Sequence, residues 1–215
     1  MRDYSTLIIL LVIGAALSAI LPFYSKRARN LRALRKVPLR TVREAMRCGG
    51  VVRLRGRLRL AEHHLEAPLT GRPCAWYEVK VQEHSHQHQT RWDTLIEERD
   101  GVDFLLEDDT GVARVSGLEV RAAITADASF SSGLLNEPDA RQVAFLESHE
   151  ESPTETFFNR TLRYREGILE EGEFICVAGV CRPPEAGGSS DHALVVESGE
   201  DFQLIITDDR RLKRD

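Results

Sequence analysis

The stretch 51-VVRLRGRLRL-60 alternates apolar and basic residues along its whole length. Successive side chains of an extended strand point to opposite faces. One face of this stretch is apolar: Val52, Leu54, Leu58 and Leu60. The other face consists of arginines: Arg53, Arg55, Arg57 and Arg59. The stretch therefore predicts a β-strand with one face in a core. Its other face is either solvated or in contact with anionic lipid headgroups.

Further alternating or short apolar segments predict a mainly β (α+β) domain. These segments are 75-AWYEVKVQ-82, 91-RWDTLIEE-98, 103-DFLLE-107, 112-VARVSG-117, 118-LEVRAAIT-125, 173-EFICVAGVC-181, 193-ALVVES-198 and 202-FQLIITD-208. The residues 108-DDTG-111 are typical of a tight turn between two of these strands.

Helix signals occur both before and within the strands. A basic helix is predicted over 25–36, and 41-TVRE-44 has the spacing of a capping box that opens a short second helix. One or two helices are inserted later in the chain. The first is 138-PDARQVAFLESHE-150, and the second starts at 152-SPTE-155 and extends through Leu162 and Tyr164.

Two segments of the chain repeat one pattern. Both 52-VRLRGRL-58 and 175-ICVAGVC-181 read apolar-x-apolar-x-Gly-x-apolar. A duplicated small β-barrel or sandwich unit would produce this pattern, with the central glycine at a bulge or bend. A chance match of a short pattern is the alternative.

The N-terminal region predicts a transmembrane helix. Ser5 to Tyr24 contains no charged residue, and about 20 apolar residues span the hydrocarbon core of a bilayer. Eight cations follow directly: Lys26, Arg27, Arg29, Arg32, Arg35, Lys36, Arg40 and Arg43. A cleaved signal peptide with its site near 16-ALS-18 is the alternative, but a basic run after the apolar segment resists translocation. The positive-inside rule places the N-terminus outside and the body in the cytoplasm.

Charge divides the chain into a basic neck and an acidic body. Residues 1–60 carry a net charge of +12 and residues 61–215 a net charge of −17. An acidic body argues against nucleic acid as a partner, because phosphate binding needs a basic face. We therefore expect the lipid bilayer as one partner, with a membrane-surface contact formed by Lys26, Arg27, Arg29, Arg53, Arg55, Arg57 and Arg59.

The histidines of 83-EHSHQHQT-90 are the only metal candidate in the sequence. His84, His86 and His88 would share one strand face, but the outer two lie about 13 Å apart, too far for one zinc ion. A third ligand would have to come from His63, His64, His149 or His192. The polar tip of a β-hairpin is the simpler interpretation, so we expect no metal and no other cofactor.

Catalytic signatures are otherwise missing from the sequence. No G-x-S-x-G, H-E-x-x-H or phosphate-binding glycine loop occurs. The four cysteines form no C-x-x-C pair, so we expect free and mostly buried thiols, with Cys176 and Cys181 on opposite faces of one strand. We therefore predict no catalytic residues. Arginine outnumbers lysine 25 to 4, which indicates a bacterial source.

Several motifs together resemble the GIDE family. They are a single anchor beside 51-VVRLRGRLRL-60, followed by 68-PLTGRPCAWYEVKVQE-83, Trp92, 103-DFLLEDDTGVARV-115 and 165-REGILEEGEFICVAGV-180. The resemblance implies a β-rich BAM ("beside a membrane") domain. It also implies that Cys74, Trp76 and Tyr77 begin a core strand and that Asp109, Thr110 and Gly111 form a hairpin turn.

The resemblance also carries an enzymatic alternative. The family's eukaryotic member is a mitochondrial E3 ubiquitin ligase with a RING, which binds two zinc ions through eight Cys/His ligands. Four scattered cysteines cannot supply those ligands. We therefore predict a membrane-anchored, non-catalytic module that binds a partner or ligand. A ligase-like protein by family label and a structural envelope component are the alternatives.

The predicted domain organisation follows from these segments. Residues 1–24 form the anchor, 25–50 a basic helical neck, 51–208 the β-rich domain and 209–215 a charged tail. The predicted architecture is thus a transmembrane helix followed by small barrel or sandwich units with one or two inserted helices.

Overall fold

The computed structural model describes residues 26–84, 92–117, 120–132, 138–149, 161–182, 194–209 and 212. Its helices are α1 (Lys26–Lys36), α2 (Val42–Cys48) and α3 (Ala140–Ser148). Its strands are β1 (Gly50–Leu60), β2 (Leu65–Glu66), β3 (Pro73–Cys74), β4 (Trp76–His84), β5 (Trp92–Gly101), β6 (Phe104–Asp108), β7 (Gly111–Val115), β8 (Arg121–Ala122), β9 (Ala128–Ser132), β10 (Leu162–Leu169), β11 (Phe174–Arg182), β12 (Val195–Glu197) and β13 (Ile205–Thr207). Among the described residues, no helix is long and apolar enough to cross a membrane. The predicted anchor lies outside them.

Five strands close into a barrel that starts from the predicted first strand. β1 pairs with both β6 and β11, and β7 and β12 complete the ring. β7 and β12 run parallel, whereas the other neighbours are antiparallel. Counted along the chain, the strand order 1-2-3-5-4-1 is that of the OB-fold Greek-key barrel. The β-rich class and the small barrel are therefore confirmed.

The predicted alternation of β1 is present in the barrel. Val52, Leu54 and Leu58 are buried in the barrel core, and the arginines between them point outward. A Cβ atom built on Gly56 would stand 2.2 Å from the carbonyl oxygen of Glu107. The glycine therefore permits a close approach of the β6 backbone to β1, at the position where a bulge or bend was predicted.

The two segments of the repeated pattern are direct neighbours in this barrel. β1 and β11 pair antiparallel, with Leu54 opposite Val177 and Gly56 opposite Ile175. Leu54 and Val177 both hold the third position of the seven-residue pattern, so the two segments pair about that position. Duplication of an ancestral unit remains a prediction.

A second sheet, in the order β5-β4-β10-β9, is antiparallel throughout. Phe145 and Leu146 of α3 pack against one of its faces in a separate core. The strands contribute to that core the residues Tyr77, Val79, Val81, Ile96, Leu162, Tyr164 and Ile168. The opposite face is here called the polar face, and it carries Glu78, Lys80, Gln82, His84, Trp92, Thr94, Glu97, Arg99, Arg163 and Arg165.

Helix α1 packs on the outside of the barrel. Leu31, Leu34 and Val37 contact a third apolar cluster that includes Cys176 and Ala178 of β11. Beyond α1, the backbone of residues 38–40 pairs with Arg53 of β1. The predicted basic helix therefore has an apolar side, and this side holds it against the β-domain.

Two predicted motifs form one hydrogen-bond network at the start of α2. Thr41 and Glu44 form the predicted capping box. The Asp108 carboxylate accepts hydrogen bonds from the backbone N–H groups of Thr110 and Gly111 in the β6–β7 turn, and from that of Val42 in α2. The predicted tight turn thus also caps a helix, because the carboxylate satisfies N–H groups that lack partners within the helix.

Two segments differ from the prediction. Leu162 and Tyr164 lie in β10 and not in a helix that begins at Ser152; residues 150–160 lie outside the described residues. In β10 the charged residue Glu166 occupies an inward position. The segment therefore lacks the continuous apolar–polar alternation by which a strand is recognised in the sequence. In the predicted strand 118–125, the described residues 120–125 contribute only the short strand β8. One reason is that Thr125 N–H donates to the Asp208 carboxylate at 3.0 Å instead of continuing a backbone ladder.

Candidate functional surfaces

The arginines of β1 lie on the outside of the barrel, as predicted, but acceptors stand close to several of them. Arg59 Nε donates to Glu107 Oε2 at 2.6 Å, and Arg57 Nη1 donates to the Gly172 carbonyl at 3.2 Å. The Arg53 Nε atom is buried and has no hydrogen-bond partner among the described residues. Arg55 is half-buried. The row is therefore less uniformly solvated than alternation alone suggests.

Part of this row borders a cleft of about 890 Å³ between the start of α2, β1 and the β6–β7 turn. Its walls carry both signs of charge: Arg40, Arg55 and Arg57 against Glu44, Glu107, Asp108 and Asp109. Such a mixed lining suits a partner that presents both basic and acidic groups. It does not single out an anion.

The basic residues of the neck that were predicted to contact the membrane have different surroundings in the structure. Arg27 Nη2 donates to Thr125 Oγ1 at 2.9 Å, and it lies 3.9 and 4.0 Å from the carboxylates of Asp208 and Asp209. Arg29 is exposed, and Lys26 begins α1. Arg27 therefore helps to hold the neck on the barrel.

A second cleft, of about 840 Å³, lies between α1 and the polar face of the second sheet. Arg27, Arg29 and Asn30 line one wall, and Lys80 and Arg99 are on the other. The charges of the sheet wall are balanced by carboxylates. Lys80 lies 3.3 Å from Glu97, and Arg99 lies 2.9 Å from Glu78.

Of the histidine run, the structure describes only His84. His84 ends β4, and its ring stands edge-on to the Trp92 ring, with 5.1 Å between ring centroids. His86, His88 and His192 lie outside the described residues, and His63 and His64 are exposed. His149 lies 2.8 Å from Glu98. Within the described residues, no group of three or more His, Cys, Asp or Glu side chains could hold a metal ion.

Three of the four cysteines are buried, and Cys48 is exposed, in agreement with the predicted free thiols. Cys176 and Cys181 belong to different apolar clusters, as their odd spacing predicted. Burial, followed by the nearby Glu166 carboxylate, raises the pKa of Cys74 to about 12. A thiol with such a pKa is a poor nucleophile at neutral pH.

Glu166 is a buried carboxylate that sequence reasoning missed. It accepts hydrogen bonds from the backbone N–H groups of Leu69 and Thr70, at 2.7 and 3.1 Å, and from the Thr70 hydroxyl. It thereby ties 68-PLTGRP-73 to 165-REGILEEGEFICVAGV-180, two of the motifs that carry the resemblance. The sequence offered one signal for this role: Glu166 is an acidic residue at an inward position of the alternating segment that forms β10.

Arg163 was missed as well. Its guanidinium carbon lies 4.3 Å from the centroid of the Trp92 ring, and its Nη2 donates to Gln82 Oε1 at 2.7 Å. Because Arg163 fell within a predicted helix, its place on a sheet face beside Trp92 was not foreseen.

One comparison with known proteins supports the family resemblance seen in the sequence motifs. The family model GIDE, described as an E3 ubiquitin ligase, matches residues 77–194, which is more than half of the 215 residues. No curated protein and no solved structure matches the chain. The matched region runs from β4 of the second sheet to the start of the last barrel strand, β12, and it includes the β6–β7 turn and β10. On this match, the chain belongs to the GIDE family.

Proposed function

We propose that the chain is a membrane-anchored, non-catalytic binding module of the GIDE family. The predicted anchor would hold the β-domain at the cytoplasmic surface of the membrane. A protein partner would bind in the cleft of the barrel beside α2. The observation that carries this proposal is the packing of α1 on the barrel through Leu31, Leu34 and Val37.

This packing determines how the predicted membrane segment, residues 5–24, would be coupled to the domain. A flexible linker would let the domain sample many orientations. Here α1 begins two residues after that segment, and it is fixed by buried leucines and by the contact of Arg27 with Thr125. The barrel would therefore keep a constant orientation to the bilayer.

The cleft beside α2 is the proposed partner surface. It combines Arg40 and Arg57 with Glu44, Glu107 and Asp109. Opposed charges at a surface confer specificity and register more than raw affinity. The Asp108 network with α2 keeps the cleft wall rigid, so that a partner would meet a preformed surface.

Ubiquitin transfer is the second candidate function, and the family description favours it. A RING recruits a ubiquitin-loaded conjugating enzyme to a surface that bound zinc ions stabilise. The buried positions of Cys74, Cys176 and Cys181 in three apolar clusters argue against zinc ligation by these residues.

The proposal is tested with the full chain in membranes. After an alkaline carbonate wash the chain should stay in the pellet, and a photo-crosslinking residue at Asp109 should yield a discrete protein adduct. The same residue at Glu147, on the outer side of α3, is the matched control. Recovery of the chain in the supernatant would refute the anchor, and ubiquitin chains formed by the purified protein with activating and conjugating enzymes would refute the non-catalytic role.

A further inference from the structure

The polar face of the second sheet carries two arginines that have no acidic partner among the described residues. Arg163 and Arg165 are alternate residues of β10 and so share this face, opposite Gln82 and Lys80 of β4. On their other side, β9 places Ser131 and Ser129 beside them. No carboxylate of the described residues forms an ion pair with either arginine.

This lack is unusual for the surroundings. Residues 61–215 carry a net charge of −17, so acidic side chains are abundant. On the same face, Lys80 pairs with Glu97, and Arg99 pairs with Glu78. Among the described side chains of the polar face, one end is thus charge-balanced, and the region around Arg163 and Arg165 is positive.

The Arg163 side chain is held in place although it has no counter-ion. Its guanidinium lies over the Trp92 ring and donates to Gln82 Oε1 at 2.7 Å. Its Nε atom is buried and lacks a hydrogen-bond partner among the described residues. Burial, and then the positive charge of Arg165, lower the pKa of Arg163. An anion bound beside these side chains would reduce the repulsion between the two arginines.

The position of this face relative to α1 indicates which anion would bind. Arg27 and Arg29, in the first turn of α1, line one cleft together with Glu78 and Lys80 of the polar face. The predicted membrane segment ends at Tyr24, directly before α1. The part of the polar face around Lys80 therefore lies beside the point where the chain would leave the bilayer, and Arg165 is the cross-strand neighbour of Lys80.

We propose that the polar face, through Arg163, Arg165 and the indole of Trp92, contacts anionic lipid headgroups of the membrane that holds the anchor. This inference rests on the proposed anchoring. Each cation near an anionic leaflet is attracted to it, and tryptophan favours the interface between headgroups and acyl chains. The acidic remainder of the domain would be repelled by the same surface, and this repulsion would keep the polar face inward.

The protein contains its own probe for this contact. Of its two tryptophans, Trp76 is 3% exposed in the barrel core and Trp92 is half-exposed on the polar face. The full chain is reconstituted into phosphatidylglycerol–phosphatidylcholine vesicles that carry a lipid quencher with its label just below the headgroup. We expect quenching of the Trp92 emission, and we expect Trp92→Phe to abolish it while Trp76 emission remains.

The arginines are tested by Arg163→Gln with Arg165→Gln in the same vesicles. The ratio of docked to undocked domain should fall roughly fivefold for each arginine removed, and the quenching should fall with it. The matched control is Arg72→Gln with Arg141→Gln, which makes the same charge change near the opposite face, where these arginines pair with Glu170 and Glu66. This control should keep the quenching.

The outcomes separate the two proposals. A chain that fails to float with vesicles of any composition refutes the anchoring itself. A chain that floats but shows equal quenching in neutral and anionic vesicles, or in the double variant, refutes the headgroup contact and leaves the anchor standing. If iodide in the water still quenches Trp92 fluorescence in anionic vesicles, the contact is also refuted. That result would indicate that the arginines face an acidic protein instead.

Discussion

Strands β1 and β10 both place arginines on an outer face, but the neighbours of those arginines differ. On β1, Arg59 meets Glu107 of β6, and Arg57 meets the Gly172 carbonyl. On β10, Arg163 and Arg165 meet an amide, a lysine and serines across the sheet. Alternation predicts which side chains point outward in both strands. Only strand pairing decides whether an outward charge finds a counter-charge.

β1 and β10 also contribute differently to the fold. β1 closes the barrel, and Gly56 is its most constrained position. β10 is central in the second sheet, where Glu166 fixes a loop. In both strands the arginines are separate from these structural positions. Changes at the constrained positions should therefore affect stability, whereas changes of the arginines should affect contacts with a membrane or partner.

The largest effect is expected for Gly56→Val. Its Cβ would stand 2.2 Å from the Glu107 carbonyl oxygen, so β6 would have to separate from β1. We expect a loss on the order of 4 kcal/mol in the free energy of unfolding, or failure to fold, in denaturant titrations. The control Arg57→Val changes the next residue, on the outer face, and should cost little. Equal losses for both would contradict the division between structural and surface positions in β1.

The second prediction concerns α1, which covers the outer face of β11 beside the β1 arginines. Leu34 is fully buried there, so Leu34→Ala should lower the free energy of unfolding by about 3 kcal/mol. The control Arg35→Ala changes the next, exposed residue of the same helix. An unchanged midpoint for Leu34→Ala in thermal melts would mean that the neck is a loose tether and that the barrel has no fixed orientation to the bilayer.

The four arginines of β1 test directly which strand, β1 or β10, faces the membrane. Changing Arg53, Arg55, Arg57 and Arg59 to glutamine should shift the thermal midpoint by only a few degrees, because Arg57 and Arg59 are exposed and glutamine keeps part of the side chain at the two half-buried positions. If β10 makes the headgroup contact, the quenching of Trp92 by lipid should persist in this variant. If quenching is lost while the midpoint holds, the membrane-facing role belongs to β1, as the sequence alone predicted.

The turn that joins β10 to β11 gives a pH-dependent prediction. Burial raises the pKa of Glu173 to about 7, well above the ordinary value of a glutamate. The folded protein therefore holds this proton more tightly than the unfolded chain, and stability falls as pH rises from about 5 through about 7. Glu173→Gln should raise the thermal midpoint relative to the unchanged protein at pH 8 but not at pH 5. The exposed Glu62→Gln is the control, and an identical response in both variants would contradict the assignment.

The smallest effect is expected at the hairpin end next to Arg163. Changing His84, His86 and His88 together to alanine should leave the thermal midpoint nearly unchanged, because His84, the described member of the set, lies at the end of β4 and outside the apolar cores, with its ring edge-on to Trp92. Purified protein should contain less than one zinc per chain by elemental analysis. One tightly bound zinc that disappears in the triple variant would show that the histidines form a metal site.

Much of the fold was readable from local pattern. The period-2 strand around Leu54, the capping box at Thr41 and the turn at Asp109 were all found from spacing, since each depends on residues close in sequence. β9 was missed because its serines resemble a loop. β10 was missed because Glu166 occupies an inward position. Their strand character depends on partners far along the chain, which no local window contains.

The sequence by itself determined that this is a β-rich member of the GIDE family with a basic neck and an acidic body. It also determined which residues of each predicted strand share a face, since backbone geometry fixes that alternation. Only the tertiary structure decided that β1 and β11 close a barrel, that α1 packs on it, and that Arg163 lies over Trp92. These contacts join residues tens of positions apart. They arise when whole apolar faces are buried together, and that burial determines which outward charges are paired and which remain free to bind.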